Sequence, residues 1–113
     1  LEHLREIYVS GRASEEETSG MIATIRAETG QVICPHTAVA VKVAREHIRP
    51  GVPMISLSTA HPAKFPDAVE EAVGIRPPLP PHMADLFERD ERITRVANDA
   101  ESIKSLILER RTA

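Results

Sequence analysis

Apolar residues recur at helical spacing in three parts of the chain. In "ASEEETSGMIATIRAETG" the stripe is Met21, Ile22 and Ile25, and Ser14 with Glu17 three residues on forms the reciprocal pair of a capping box. Glu15 to Glu17 suit the positive end of the helix dipole and Gly30 is the stop, which predicts a helix over 15–29. In "VICPHTAVAVKVAREHI" Pro35 fits a first helical position and makes Cys34 the N-cap, with Val39, Val43 and Ile48 as the stripe and Ala38, Ala40 and Ala44 keeping another side slim. This predicts a helix over 36–48. Near the end, Ile103, Leu106 and Ile107 form the stripe of a last helix capped by Asn98 or Asp99.

Other segments have strand character. "IYVSG" reads as a short strand, Met54–Leu57 as a short apolar strand behind Pro53, and "RITRVA" as an edge strand. Pro66 opens a helix that Gly74 stops, so Ser58–Phe65 is a tight join between a strand and a helix. "IRPPLPPHMADLFERDER" is too rich in proline for regular structure before about Met83, after which a short helix is expected. Helix, helix, strand, helix, strand, helix is an α/β order, with helices packed on a small sheet. No repeat or internal boundary divides it, so residues 1–113 read as one segment.

Composition narrows the function classes. With 113 residues, 42% apolar and 27% charged, the chain has the make-up of a globular protein, and no apolar run approaches the roughly 20 residues of a membrane span. A net charge of −3 with dispersed Arg and Lys gives no basic face for nucleic acid. The single Cys34 and the lack of an apolar leader suit the cytoplasm. The chain has no Trp, starts at Leu1 and spends nine prolines on a small core. It is therefore expected to be cut from a longer chain that supplies the rest of its packing.

The candidate chemistry sits in "LSTAHPAKF", at the carboxyl end of the Met54–Leu57 strand, where open α/β sheets bind ligands. Small Ser58, Thr59 and Ala60 let a planar ligand approach the backbone, and the two hydroxyls offer hydrogen bonds without charge. The same hydroxyls also suit a plain turn before a helix. His61 lacks further ligands at local spacing, and the histidines at 3, 36, 47, 61 and 82 form no pair on one helical face, so no metal is expected. Lys64 reads either as a solvated side chain or as a charge within the site. His36 and Thr37, in the first turn after Pro35, read as ordinary first-turn residues or as neighbours of an anion at the exposed amides.

"CPHTAVAVKVA" followed by "STAHPAKFPDAVEEAVG" resembles the C-terminal part of threonine synthase, and "SEEETSGMIATIRAETG", "ERDERI" and the "ND" before the last helix fall where that family has similar segments. The resemblance implies the final quarter of a pyridoxal phosphate enzyme of fold type II, like the tryptophan synthase β subunit. The implied reaction converts O-phosphohomoserine and water to threonine and phosphate. In the family, the lysine that carries the cofactor and the loop that cradles its phosphate lie upstream. The resemblance thus implies no catalytic residue here, and an inactive chain without its missing N-terminal part. By the "TAH" motif, Thr59 matches the residue whose hydroxyl faces the pyridine nitrogen, with Ser58, Ala60 and His61 on the same wall. Lys64 would help attract the substrate's phosphate. Cys34 departs from the commoner Asp before "PHTA" and is a poorer N-cap, worth about 1 kcal/mol less. An exposed thiol there would alkylate quickly. The competing reading is a free-standing, non-catalytic anion-binding α/β module built on the helix start at Pro35 and the "TAHPAK" turn.

Overall fold

The computed structural model describes residues 2–111, excluding the side chain of Glu2. Its contacts gather into two compact units, Leu1–Met83 and Ala84–Ala113. The first holds helices α1 (Glu2–Ile7), α2 (Glu15–Thr29), α3 (Pro35–Glu46) and α4 (Pro66–Val73).

Helix α2 follows its sequence signals closely. Ser14 Oγ accepts the Glu17 N–H at 3.1 Å and the Glu17 carboxylate accepts the Ser14 N–H at 2.7 Å. The Ser14 N–H, then Lys42, hold the Glu17 carboxyl below its ordinary range. Gly30 ends the helix at φ 77°, a left-handed conformation that costs glycine little. Helix α3 starts at Pro35, one residue before the predicted position, and ends at Glu46, two residues early, with His47 as its cap. Pro66 opens α4 and Phe65 before it takes φ −131°, outside the α region, as a residue preceding proline should.

Helix α2 packs against both α3 and α4, and the core lies where the three meet. Ile22 of α2, Ala38 of α3 with its cap Cys34, and Val69 of α4 are buried, together with Thr18 and Thr37. The slim alanine side of α3 permits this close approach. Lys42 anchors the preceding segment, donating to the Arg12 carbonyl at 3.0 Å and pairing with Glu46 at 2.8 Å and Glu17 at 3.4 Å. Gly11 lies so close to α3 that a Cβ on it would stand 2.7 Å from a Val43 methyl. Arg45 of α3 clamps Glu28 of α2 with two N–H donors, which holds the Glu28 carboxyl below its ordinary range.

The second unit contains a 3-10 turn at Leu86–Glu88 and helix α5 (Ala100–Arg111). Asp99 caps α5, accepting the Ser102 N–H at 2.9 Å. Arg110 reaches back to the Thr94 hydroxyl at 3.3 Å. No described residue of this unit is buried, and the stripe residues Ile103 and Ile107 stand exposed.

The small sheet is not found. Among the described residues there is no strand: Ile7 closes α1, while Tyr8–Gly11, Met54–Leu57 and Arg92–Ala97 are irregular. A strand leaves its N–H and C=O groups to be paired by a neighbour, and none of the three segments has one here. Their apolar side chains are correspondingly exposed, with Ile55 at 79% and Leu57 at 72%. The short helix expected after Met83 is reduced to 3-10 turns at Pro81–Met83 and Leu86–Glu88.

Candidate functional site

The two motifs are 21 residues apart and meet at the start of α3. Cys34 caps this helix with its sulfur, which accepts the Thr37 N–H at 3.5 Å. The same sulfur lies 3.2 Å from Thr37 Oγ1, and that hydroxyl donates to Ser58 Oγ at 3.3 Å. Cys34 is 0% and Thr37 5% exposed, so the contact ties the two motifs on their buried side. A weak sulfur acceptor therefore caps α3 because burial holds it in place. The thiol is not the accessible one that fast alkylation requires.

Above this contact the chain passes through Thr59 and Ala60 into a 3-10 turn, Pro62–Lys64. His61 caps that turn, its Nδ1 accepting the Ala63 N–H at 3.1 Å. With Nδ1 used as an acceptor, the neutral ring carries its hydrogen on Nε2 and presents a donor. Ser58, Thr59 and His61 are exposed and Ala60 half-buried. The Thr59 hydroxyl makes no hydrogen bond to any described residue. This exposed run thus offers the Ser58 and Thr59 hydroxyls and the His61 ring, with no carboxylate among residues 58–64.

Lys64 and His36 both approach Phe65. The Lys64 ammonium lies 5.8 Å from the ring centroid, and the His36 ring is 4.9 Å away and tilted by 48°. Phe65 thus has both His36 of the first motif and Lys64 of the second as neighbours. Neither has a carboxylate partner among the described residues.

His61 and Pro62 also border a cleft of about 380 Å³, walled by Val32, Ile75 and the proline-rich run 77–81. Pro77 is buried beside it and Arg76 is fastened to Asp67 at 2.8 Å and Glu70 at 2.7 Å. A separate cleft of about 500 Å³ lies between the start of α2 and α4, edged by Glu15, Glu16 and Glu71. It contains none of the residues 58–64, and its carboxylates belong to solvated helix ends, so chemistry favours the hydroxyl wall over the larger space. Among the described residues no group of three or more His, Cys, Asp or Glu is placed to hold a metal ion, and no helix is long and apolar enough to cross a membrane.

Ser58, Thr59, Ala60 and His61 are consecutive, with only Ala60 half-buried, and Lys64 follows three residues on, also exposed. Sequence reasoning undervalued Thr37, taken as a first-turn residue or an anion's neighbour. The signal lay in its spacing: three residues after an N-cap, a first-turn side chain can return to the cap and reach whatever lies beside it.

Comparison with known proteins places these observations in a family. The family description "Threonine synthase, C-terminal" matches residues 37–107. Threonine synthase of Pseudomonas aeruginosa is 45% identical over 105 residues, which is 91% of this chain and 22% of that protein. Threonine synthase of Escherichia coli is 37% identical over 73 residues, 65% of this chain and 17% of that protein. A crystal structure of pyridoxal phosphate-bound threonine synthase from Brucella melitensis superposes with a TM-score of 0.78 at 38% identity, covering 99% of this chain and 24% of that one. The chain thus spans about a fifth of the length of the curated relatives it matches, as in the 22% of the Pseudomonas protein.

Proposed function

The chain belongs to the threonine synthase family, and from that premise we propose that residues 1–113 are the C-terminal segment of a cytoplasmic, pyridoxal phosphate-dependent lyase of fold type II. The reaction is conversion of O-phosphohomoserine and water to threonine and phosphate. The two units act as one segment of a larger catalytic chain, and the lysine that carries the cofactor lies outside them. By itself the segment is inactive. The observation that carries this reading is the wall of neutral donors at residues 58–61, in a chain similar over 99% of its length to part of a cofactor-bound threonine synthase.

The donor set fits pyridoxal phosphate at its ring nitrogen. Thr59 offers a hydroxyl without a partner among the described residues, and the small Ala60 leaves room for a flat ring. When bound, the cofactor supplies an electron sink for carbanion charge on the amino-acid substrate. Thr59 donates a hydrogen bond to the ring nitrogen without adding charge, which favours the unprotonated ring, whereas a carboxylate there would hold a proton on it. Ser58 and the Nε2 of His61 extend the same polar wall. Lys64, whose ammonium lies against Phe65, contributes positive charge that draws the substrate's phosphate. The exposed apolar residues Ile55 and Leu57 mark surface that the rest of the protein covers, which disfavours a free-standing anion-binding module.

Thr59 tests the reading in the whole protein. Thr59→Ala is expected to weaken cofactor binding by about 1 kcal/mol, the net worth of one neutral hydrogen bond, with the fold unchanged. Thr59→Asp should leave the cofactor bound and shift its absorbance maximum. Parent affinity and parent absorbance in both variants would reduce Thr59 to a turn residue and remove the reading's main support.

A further inference from the structure

Resting on the cofactor-wall reading above, we propose that Thr37, with Cys34 behind it, is a positioning residue that fixes Ser58 as an outward hydrogen-bond donor to the bound cofactor. The three side chains form a chain with a direction. Thr37 has one hydroxyl hydrogen, and the geometry gives it to Ser58 Oγ at 3.3 Å. The 3.2 Å contact between Thr37 Oγ1 and the Cys34 sulfur must then use the thiol hydrogen, so Cys34 donates and Thr37 accepts. The sulfur in turn accepts the Thr37 N–H at 3.5 Å. Each inner group is satisfied, and the one hydrogen left over is that of Ser58. Ser58 Oγ accepts from Thr37, which leaves its own O–H free to donate to a group outside this chain of bonds.

Burial gives the chain its stiffness. Cys34 is 0% exposed and Thr37 5%, so water does not compete for either hydroxyl or thiol, and one caps and the other sits on the first turn of a 12-residue helix. Ser58 itself is exposed and stands on an irregular segment that lacks strand partners among the described residues. The Thr37 contact is the only side-chain hydrogen bond that ties the exposed stretch 54–59 to a described helix. Thr37 therefore does for Ser58 what a sheet would do for a strand residue: it fixes where the donor sits before ligand arrives.

The experiment uses the whole protein and reads cofactor dissociation constant, cofactor absorbance and melting temperature for Thr37→Val, Thr37→Ser, Ser58→Ala and the double variant Thr37→Val/Ser58→Ala. Thr37→Val should weaken pyridoxal phosphate about fivefold and shift its absorbance in the same sense as Ser58→Ala, and Thr37→Ser should restore both. The double variant should bind no more weakly than Ser58→Ala alone, because both changes remove one donor. Cys34→Ala, which removes the thiol hydrogen, should produce a smaller loss in the same direction and serves if Thr37→Val fails to fold. Parent affinity and absorbance in Thr37→Val, with only a lowered melting temperature, would overturn the positioning role while leaving the cofactor wall intact. Additive losses in the double variant would overturn it too. A whole protein that binds no pyridoxal phosphate would overturn the cofactor wall itself, and this inference with it.

Discussion

Helices α2, α3 and α4 and the stretch Val52–Leu57 lie in one unit and both carry apolar side chains, but only the helices bury theirs. Ile22 and Val69 are almost wholly covered, whereas Val52, Ile55 and Leu57 are exposed. The difference follows from how each kind of backbone is satisfied. A helix closes its own hydrogen bonds and needs only a neighbour for one face, which α2 provides for α3 and α4. An extended segment needs a partner for its backbone as well as for its side chains. The helices cover one another's apolar faces here, whereas the stretch has no such neighbour among the described residues.

The largest expected effect is on the complete side. Ile22→Ala should destabilise the whole protein by about 3 kcal/mol in denaturant titration, the cost of a cavity in a small core. Ile55→Ala breaks or sharpens the comparison. If the rest of the protein covers this stretch, the loss there is about 2 kcal/mol in spite of the exposure seen here, whereas a change within about 0.5 kcal/mol would mean nothing covers it. Gly11→Ala should cost about 2 kcal/mol, since the new methyl would overlap Val43 on the flank of α3. Ser14→Ala removes one half of the capping box and should cost about 1 kcal/mol.

Acid titration gives the smallest and most gradual effect. Arg45 holds Glu28, and the Ser14 N–H holds Glu17, below the ordinary carboxylate range. Their folded values lie below their unfolded ones, so the stability they add is full above about pH 5 and is lost as pH falls through about 4. Melting temperature should decline over that window, less steeply in Glu28→Gln, and a parent profile flat to about pH 3 would show that these pairs contribute nothing.

The same contrast decides what could be read from the sequence. The capping box at Ser14 and Glu17, the proline starts at Pro35 and Pro66 and the glycine stops at Gly30 and Gly74 are local, and each stands where its pattern put it. The strands at Met54–Leu57 and Arg92–Ala97 were inferred from side-chain character, which states a preference and does not supply a partner. The run Ser58, Thr59, Ala60 and His61 stood out as a candidate because it is one contiguous motif. The Thr37–Ser58 hydrogen bond was not, because it joins residues 21 apart and depends on how the start of α3 packs. Cys34 was legible as an N-cap, while its burial depends on tertiary packing that the local pattern does not state.

The central claim is that residues 1–113 supply a wall of a cofactor pocket whose covalent anchor lies elsewhere in the protein. Borohydride reduction of the whole protein with pyridoxal phosphate, followed by peptide mapping, tests it most directly. The account predicts one labelled lysine outside residues 1–113, with Lys42, Lys64 and Lys104 unmodified. Stoichiometric label on Lys64 would contradict it, because the wall would then carry the anchor itself.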